Sequence, residues 1–251
     1  MLKHIDLESI VSIAKDAGEA IMEIYQKDFE IEYKDNNSPL TEADLKANDI
    51  ICKALKKSYP NIPIISEENK QIDYEIRKKW IYYWCIDPID GTKEFIKKND
   101  EFTVNIALIY KSEPVLGVVY APAINEIYKA KKGKGAFKNT KKLPSKTNQH
   151  PKEKLFVVAS KSHLSKETQR YIDTLKTRKI EQINKGSSLK LCMVATGEAD
   201  IYPRLAPTME WDTAAADAIV REAGKMTYQF ENNQPLVYNK QNLLNPWFIV
   251  K

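Results

Sequence analysis

Two stretches near the start of the chain have apolar residues at helical spacing. The first covers residues 5–26, and one face of it would carry Ile10, Ile13, Ala17, Ala20, Ile21 and Ile24. Repeats of three and four positions are typical of an amphipathic helix. The second begins after Thr41, a residue suited to a helix N-cap, and Asp44 lies where the acid of a capping box belongs. We therefore predict a second helix from Thr41 to about Tyr59.

Short apolar runs rich in β-branched and aromatic residues follow these helices. They predict strands at 62–66, 80–86, 102–110 and 115–120, and short strands with glycine breaks over 127–142. Farther along, strands and helices alternate: the patterns predict strands at 155–159, 180–183, 199–202 and 247–250, and helices at about 166–177, 187–196 and 212–223. This mixture predicts an α/β protein, built as an α+β layered sandwich.

A polar segment with two prolines, residues 142–154, predicts a boundary between two lobes. The N-terminal α+β lobe would comprise residues 1–145 and carry most of the metal ligands. The C-terminal α/β lobe would comprise residues 146–251 and carry substrate contacts and Asp212.

The most informative motif lies where the strand predicted over residues 80–86 ends. Asp87 and Asp90 follow it, and Pro88 between them would hold a turn. Gly91 would let backbone N–H groups approach an anion, and a helix that starts after it would add its positive dipole end. The motif indicates a site for both metal and phosphate, and the alternative interpretation is an ordinary Asp-rich turn with a helix cap.

Other acids lie at comparable places, since Glu67 and Glu68 follow a predicted strand and Asp212 opens a predicted helix. Strand ends collect at one edge of a layered α/β fold, where ligands tend to bind. Carboxylates gathered there would repel one another, so a divalent cation is the natural counter-charge, and all-oxygen ligands favour Mg²⁺ or Mn²⁺ over zinc. Each acid taken alone is explained as well by a surface or capping role, but the three groups together favour a metal site.

Composition narrows the class of protein. The 251 residues are 43% hydrophobic and 29% charged, as in ordinary globular proteins, and no apolar run is long enough for a membrane span. The first eight residues lack the layout of a signal peptide, and three widely spaced cysteines predict reduced core thiols. These features predict a cytoplasmic protein.

The net charge of +5 comes from 34 lysines against 5 arginines. Seven lysines and no acid lie between Lys131 and Lys146, which is either a solvated lysine-rich hairpin or a patch that binds polyanions. Aromatic residues that would stack on bases are scarce there, and no nucleic-acid-binding motif is present. We favour the hairpin and predict no nucleic-acid partner.

Three motifs together resemble the inositol monophosphatase superfamily. They are Glu67-Glu68, Asp87-Pro88-Ile89-Asp90-Gly91-Thr92 and Trp211-Asp212-Thr213-Ala214-Ala215, and they match in order and spacing. The resemblance spans nearly the whole chain. It implies a layered fold with alternating α-β-α-β-α layers and a lithium-sensitive, Mg²⁺-dependent phosphatase.

Further segments resemble the bacterial 3′(2′),5′-bisphosphate nucleotidase branch of that superfamily. They are Lys93-Glu94-Phe95, Ser160-Lys161-Ser162-His163, Gly186-Ser187-Ser188-Leu189-Lys190, Ile201-Tyr202-Pro203-Arg204 and Pro207-Thr208-Met209-Glu210-Trp211-Asp212. The branch implies a nucleotide bisphosphate substrate, whose 3′-phosphate is removed, and a role in sulfur metabolism. A second phosphate away from the reaction needs cations to hold it, and Lys190 and Arg204 suit that task. A solvated helix lysine is the alternative for Lys190.

The resemblance also implies roles for individual residues. The metal ligands for two or three Mg²⁺ ions would be Glu67, Asp87, Asp90 and Asp212 with the backbone carbonyl of Ile89. The catalytic residues would be Asp44, Thr92 and Glu67, with Thr92 and Asp44 orienting the attacking water, although Asp44 also fits a simple capping role. The substrate contacts would be Glu67, Gly91, Thr92, Lys93, His163, Ser187, Lys190, Arg204 and Asp212.

Other interpretations share the same acids. An inositol monophosphatase and a fructose-1,6-bisphosphatase would use the same metal core, and a catalytically silent binding protein on this fold is a third alternative. The chain departs from the common family pattern at Lys225, where a glycine is usual, and Asp217 lies in an otherwise small and apolar helix. A homodimer and peripheral attachment to the inner membrane are further expectations that rest on the resemblance alone.

Overall fold

The computed structural model describes residues 2–27, 29, 31–33, 39–144, 151, 153–160, 164–175 and 179–251. The α-helices in this part of the chain are α1 (Leu7–Tyr25), α2 (Glu42–Ser58), α3 (Tyr74–Arg77), α4 (Thr92–Ile96), α5 (Lys166–Thr174), α6 (Leu189–Thr196) and α7 (Glu210–Glu222). Two short 3₁₀ helices cover Leu2–His4 and Pro122–Ile124.

The strands form one large sheet and three smaller ones. The first nine strands are β1 (Ile31–Tyr33), β2 (Pro39–Thr41), β3 (Ile64–Ser66), β4 (Tyr82–Asp90), β5 (Thr103–Tyr110), β6 (Glu113–Ala121), β7 (Glu126–Lys131), β8 (Gly135–Lys138) and β9 (Lys141–Lys142). The remaining five are β10 (Lys154–Ser160), β11 (Lys179–Lys185), β12 (Tyr202–Arg204), β13 (Thr227–Gln229) and β14 (Phe248–Val250).

The large sheet has the order β3-β4-β5-β6-β7-β8-β9, and β1 pairs with β2 separately. Strand β3 runs parallel to β4, and the other neighbours in the large sheet are antiparallel. Strands β10 and β11 form a parallel pair, and β12, β14 and β13 form an antiparallel sheet in that order. A parallel bridge between Val157 and Ile201 joins these two small sheets into one layer.

Three groups of buried apolar residues hold the layers together. The first lies between helices α1 and α2 and one face of the large sheet. The second includes apolar residues of α6 and α7, of the opposite sheet face, and of β10, β12 and β14. The third lies between the small sheets and α5. The layers therefore alternate α-β-α-β-α, which confirms the predicted fold class.

Strands β4 and β5 are buried on both faces, because helices cover both sides of the large sheet. Trp84 and Ile86 point towards α1 and α2, whereas Tyr83 and Cys85 point towards α6 and α7. This explains the continuous apolar run in the sequence, since alternation with polar residues is expected only where one face meets water. Cys85 and the other two cysteines are buried free thiols, as predicted.

Helix α7 lies against β6 at a site where a side chain would not fit. A Cβ atom on Gly117 would come within 2.1 Å of the carbonyl oxygen of Ala215, in the middle of α7. This close approach fixes the height of α7 above the sheet, and it thereby places the start of that helix at the sheet edge.

Most predicted elements are confirmed, but some bounds are wrong. The strand predicted to end at Ile86 continues to Asp90, because a bulge between Asp87 and Asp90 absorbs the extra residue and pairing with β5 resumes at Thr103. Pro88 therefore lies within an irregular strand and not in a turn. Helix α7 starts at Glu210, two residues early, and the strand expected at 199–202 is β12, shifted to Tyr202–Arg204.

The lysine-rich segment forms β8, β9 and the turns beside them, as the hairpin interpretation predicts. Lys131 donates to the carbonyl of Ile5, and Lys132 pairs with Glu113 at 2.8 Å. Several of its charges are thus used within the fold. Residues 145–150, in the predicted lobe boundary, lie outside the described part of the chain, and the division into lobes stays a prediction.

Candidate active site

Most predicted site residues line one cavity of about 300 Å³. It lies at the end of β3 and β4, beside the first turns of α4, α6 and α7. The predicted residues that line it are Glu67, Asp87, Ile89, Asp90, Gly91, Thr92, Lys93, Ser187, Lys190, Arg204 and Asp212. Residues separated by more than 140 positions in sequence are therefore neighbours in space.

Parallel strand pairing brings the first two acids together. Ser66 is paired with Ile86 in the register of β3 and β4, and the N–H of Glu67 donates to the carbonyl of Ile86 at 3.2 Å. Glu67 and Asp87 thus leave the two strands at the same level. The bulge that follows changes the direction of the chain between Asp87 and Asp90, so both aspartates line the cavity.

The third acid comes from the start of α7. Asp212 is the third residue of that helix, and its Oδ2 accepts a hydrogen bond from the N–H of Met209 at 2.9 Å. One carboxylate oxygen from each of Glu67, Asp87 and Asp212 lies within 4.8 Å of the other two. Because hard cations prefer such an all-oxygen cluster, its composition suits Mg²⁺.

The electrostatics of the acids also fit a cation. Burial raises the pKa of Asp87 well above its usual range, and the charges of Glu67, Asp90 and Asp212 raise it further. The pKa of Asp212 is likewise raised well above its usual range, by burial and then by Asp90 and Glu67. Asp87 Oδ1 is buried and has no hydrogen-bond partner among the residues that the structure describes. A buried carboxylate oxygen without a donor is costly, and a bound cation would supply the missing partner.

Asp90 lies near a cationic group and a backbone donor from the start of helix α6. Burial raises its pKa to about 6, while Lys190 and the backbone N–H of Ser188 act in the opposite direction. Asp90 is therefore the acid through which the carboxylate cluster contacts helix α6.

Asp44 and Thr92 approach one another at the edge of this cluster. Asp44 Oδ2 accepts the N–H of Thr41 at 2.8 Å and the Thr41 hydroxyl at 2.6 Å, so the predicted capping box of α2 is confirmed. The Thr92 hydroxyl lies within hydrogen-bond distance of two acceptors, Asp44 Oδ1 at 3.4 Å and the carbonyl oxygen of Ile89 at 3.3 Å. The cap and the pairing with Thr92 thus use different oxygens of one buried carboxylate, and the two interpretations of Asp44 do not compete.

Gly91 and Thr92 form the junction between β4 and α4. Gly91 has φ of 96°, a left-handed conformation that glycine adopts without strain. A Cβ there would also lie 3.1 Å from the carbonyl oxygen of Glu101. Thr92 is the first residue of α4, and Lys93 beside it is exposed at the cavity mouth.

A cationic group faces the acids from the C-terminal half of the chain. Lys190 is buried, its ammonium donates to the carbonyl of Ser187, and it lies 5.7 Å from the centre of the Tyr202 ring. Burial lowers the pKa of Lys190 to about 8, Asp90 opposes this shift, and Arg204 adds to it. Arg204 donates to the carbonyl of Pro207 at 3.0 Å. The interpretation of Lys190 as a solvated surface lysine is therefore wrong.

The set of site residues predicted from the sequence differs in part from the residues that line the cavity. His163 lies outside the described residues, as do Lys161 and Ser162 of the same segment. The cavity lining also includes five residues of the sequence motifs for which no individual role is predicted: Glu94, Ser160, Gly186, Tyr202 and Thr208. Ser187, which was predicted, adopts φ of 47°, and positive φ in a residue other than glycine often marks a functional loop.

Comparison with known proteins places this architecture in a family. The sequence profile described as Inositol monophosphatase family matches residues 6–246. The 3′(2′),5′-bisphosphate nucleotidase CysQ of Escherichia coli strain K12 is 42% identical over 247 residues, which cover 97% of this chain and 98% of the relative.

Two solved structures agree with the sequence comparison. The crystal structure of CysQ from Bacteroides thetaiotaomicron, described as a bacterial member of the inositol monophosphatase family, superposes with a TM-score of 0.88 at 44% identity, covering 98% of this chain and 96% of that one. The extragenic suppressor protein suhB from Bartonella henselae gives a TM-score of 0.78 at 26% identity, over 97% and 92% of the two chains.

The described helices include none that is both long and apolar enough to cross a membrane. The family profile matches nearly the whole chain, the relatives are similar over nearly their full length, and the fold has five layers. This chain therefore belongs to the inositol monophosphatase family.

Proposed function

We propose that this protein is a Mg²⁺-dependent 3′(2′),5′-bisphosphate nucleotidase that hydrolyses 3′-phosphoadenosine 5′-phosphate to AMP and phosphate. The observation that carries the proposal is the presence of groups of both charges in one cavity. The carboxylates of Glu67, Asp87 and Asp212 form a cluster, and the cations Lys190 and Arg204 line the same cavity. A substrate with two separate phosphates could use both the acids, through a metal ion, and the cations, and the names of the relatives point to the same substrate.

The acids would hold the metal. Glu67, Asp87, Asp90 and Asp212, with the backbone carbonyl of Ile89, are the proposed ligands of two or three Mg²⁺ ions, and all five line the cavity. When bound, Mg²⁺ lowers the pKa of water and stabilises negative charge on the phosphoryl oxygens and on the leaving oxygen. The chain's own contribution is to fix these ligands on β3, β4 and α7, which converge at one edge of the sheet.

Thr92 and Asp44 would orient the attacking water. The Thr92 hydroxyl lies 3.4 Å from Asp44 Oδ1 and 3.3 Å from the carbonyl oxygen of Ile89, which is itself a proposed metal ligand. With that carbonyl bound to metal, the hydroxyl would donate its hydrogen to Asp44 Oδ1, and its oxygen would keep lone pairs that can accept a hydrogen from water. The proton of the water would pass through Thr92 to Asp44 as the water oxygen bonds to phosphorus. The 3′-oxygen, once its bond to phosphorus breaks, would take up a proton from solvent water to give the 3′-hydroxyl of AMP. Thr41 holds the other oxygen of Asp44, so the receiving carboxylate has one fixed orientation.

The remaining contacts would bind the nucleotide. Gly91, Thr92 and Lys93 are proposed to contact the reacting phosphate, because the junction between β4 and α4 presents backbone N–H groups at a helix start. Ser187, Lys190 and Arg204, with His163, are proposed to hold the rest of the bisphosphate. Arginine and lysine suit this task because charge-assisted hydrogen bonds to phosphate are stronger than neutral ones.

The proposal also covers the setting of the enzyme. We propose a cytoplasmic enzyme with a small-molecule substrate and no nucleic-acid partner. A homodimer, lithium sensitivity and peripheral membrane attachment stay predictions from the family.

A phosphate-release assay tests the function directly. The purified protein is given 3′-phosphoadenosine 5′-phosphate, inositol 1-phosphate and fructose 1,6-bisphosphate in turn, with Mg²⁺ or with EDTA. We expect kcat/KM to be highest for the nucleotide and phosphate release to stop in EDTA. Preference for inositol 1-phosphate or fructose 1,6-bisphosphate would identify one of the other enzymes, and no release from any substrate would favour a silent binding protein.

A further inference from the structure

A buried hydrogen-bond network connects the acid cluster to helix α6, and sequence reasoning did not find it. Its members are Thr103 and Asn105 on β5 and Ser188 next to the first residue of α6, each at most 1% exposed. The hydroxyl of Ser188 donates to Asn105 Oδ1 at 2.9 Å, and that of Thr103 reaches the same oxygen at 3.2 Å. The two hydroxyl oxygens are 2.9 Å apart.

These contacts fix which way the Asn105 amide faces. An amide oxygen only accepts and an amide nitrogen only donates, and an ionised carboxylate only accepts, whereas hydroxyl groups do both. The carboxylate of Asp90 therefore assigns Nδ2 to its side, where Nδ2 donates to Asp90 Oδ2 at 3.5 Å, and Oδ1 is left to the two hydroxyl groups. The side chain of Asn105 thus presents a donor to Asp90, the acid that acts most strongly on Lys190.

The strand register explains why Asn105 reaches that position. Asn105 is paired with Asp87, and Thr103 is paired with Asp90. The chain therefore advances two residues along β5 between these pairs but three residues along β4. The bulge leaves Pro88 and Ile89 unpaired between these two pairs, and the amide of Asn105 spans this irregular part of the ladder to reach Asp90. From the other side, the backbone N–H of Ser188 donates to the Asp90 carboxylate.

We propose that Asn105 is a positioning residue for the metal ligand Asp90, and that Ser188 and Thr103 set the orientation in which its amide does this. The inference rests on the proposed role of Asp90 in metal binding and is independent of which phosphate ester is the substrate. Residues that orient metal ligands through hydrogen bonds typically change metal affinity by about 10–100-fold when removed.

The test measures metal binding in the absence of substrate. Free Mn²⁺ is counted by electron paramagnetic resonance as it is titrated into wild-type protein, Asn105→Ala, Ser188→Ala and a control, Thr227→Val. Mn²⁺ is a suitable probe because carboxylate and carbonyl ligands accept it as they accept Mg²⁺. Thr227 is a matched control, since its hydroxyl is also fully buried but lies on β13, outside the cavity lining.

We expect the dissociation constant for Mn²⁺ to rise about tenfold or more in Asn105→Ala and to stay at the wild-type value in Thr227→Val. An unchanged constant in a folded Asn105→Ala protein would overturn the proposal, and so would an equal rise in the control. If Asn105→Ala does not fold, Ser188→Ala decides, because it keeps the amide and frees its orientation: a rise of a few-fold supports the proposal and no rise overturns it.

This readout separates the inference from the function proposed above. Failure to hydrolyse 3′-phosphoadenosine 5′-phosphate would refute the nucleotidase assignment and leave the Mn²⁺ constants untouched. Unchanged Mn²⁺ constants in an active nucleotidase would refute only the role of Asn105.

Discussion

The Thr92 hydroxyl lies 3.4 Å from Asp44 Oδ1, across 48 positions of sequence, and 3.3 Å from the carbonyl oxygen of Ile89. Asp44 belongs to the first turn of α2, whose capping box holds its second oxygen, and Thr92 is the first residue of α4. The starts of two helices thus meet at the edge of the acid cluster, and one carboxylate serves both.

Replacement of Thr92 by alanine should lower turnover and spare metal binding. The hydroxyl that we propose to orient the water is lost, whereas none of the proposed metal side chains is changed. Proton transfer by a positioned group contributes about 10²–10⁴-fold. Measurement of kcat and of Mn²⁺ affinity separates the two effects. Thr92→Ser, which keeps a hydroxyl, is the matched control and should retain much of the rate. Loss of metal affinity in Thr92→Ala would assign the hydroxyl to metal retention instead.

Asp90→Asn should keep the fold and lose most activity. The amide has nearly the shape of the carboxylate, but it cannot balance the charge of a metal ion beside the reacting phosphate. Removal of one well-placed electrostatic group typically lowers kcat by about 10²–10³-fold. The check is kcat at saturating Mg²⁺ together with a thermal unfolding curve. A variant that binds Mg²⁺ and turns over like the wild type would show that Asp90 is only a structural residue of the bulge in β4.

Arg204→Ala should distinguish substrates with two phosphates from those with one. If Arg204 holds the phosphate that is not cleaved, its removal forfeits a charge-assisted hydrogen bond worth roughly 1.5–3 kcal/mol. At about 1.4 kcal/mol per factor of ten, kcat/KM for 3′-phosphoadenosine 5′-phosphate should fall by about one to two orders of magnitude. Hydrolysis of 3′-AMP and inositol 1-phosphate should hardly change.

The control for this experiment is Arg170→Ala, because Arg170 is exposed on α5, outside the cavity lining. It should leave all substrates unaffected. An equal loss on both substrate types in Arg204→Ala would assign Arg204 to the fold or to the reacting phosphate. No loss on either would remove it from the site and favour an inositol monophosphatase.

The metal-free protein should become less stable as pH rises above about 4 and through about 6, towards neutrality. The pKa of Asp90 is raised to about 6 in the fold, and those of Asp87 and Asp212 are raised well above their usual range. Above the unfolded pKa of about 4, the folded state therefore holds more protons than the unfolded state, and the free energy of unfolding falls as pH rises through the folded pKa.

Thermal unfolding in EDTA across this pH range measures the effect. We expect Tm to decrease towards neutral pH, Mg²⁺ to raise Tm most at the upper end, and Asp90→Asn to show a weaker dependence on pH. A Tm in EDTA that rises steadily with pH, in wild type and Asp90→Asn alike, would contradict the prediction. It would show that the fold does not destabilise the charged forms of these acids.

The sequence by itself determined the local structural features of this protein. The spacing of Thr41 and Asp44 predicted a capping box that the structure contains, and the apolar runs predicted β4, β5 and β6 to within a few residues. The order of the three acidic motifs predicted both the family and the cavity that collects Glu67, Asp87 and Asp212. All of these depend on residues that are close in sequence, or on the rule that parallel strands end at one edge.

Only the tertiary structure decided how Asp90 is held and what faces it. The bulge in β4 depends on the register with β5, and the burial of Lys190 depends on where α6 lies against the large sheet. Asn105 is a polar residue in a mostly apolar stretch of sequence, and its proposed role depends on Ser188, 83 positions later. Such contacts are chosen by packing between distant segments, because spacing along the chain carries no record of which strand face a later helix will cover.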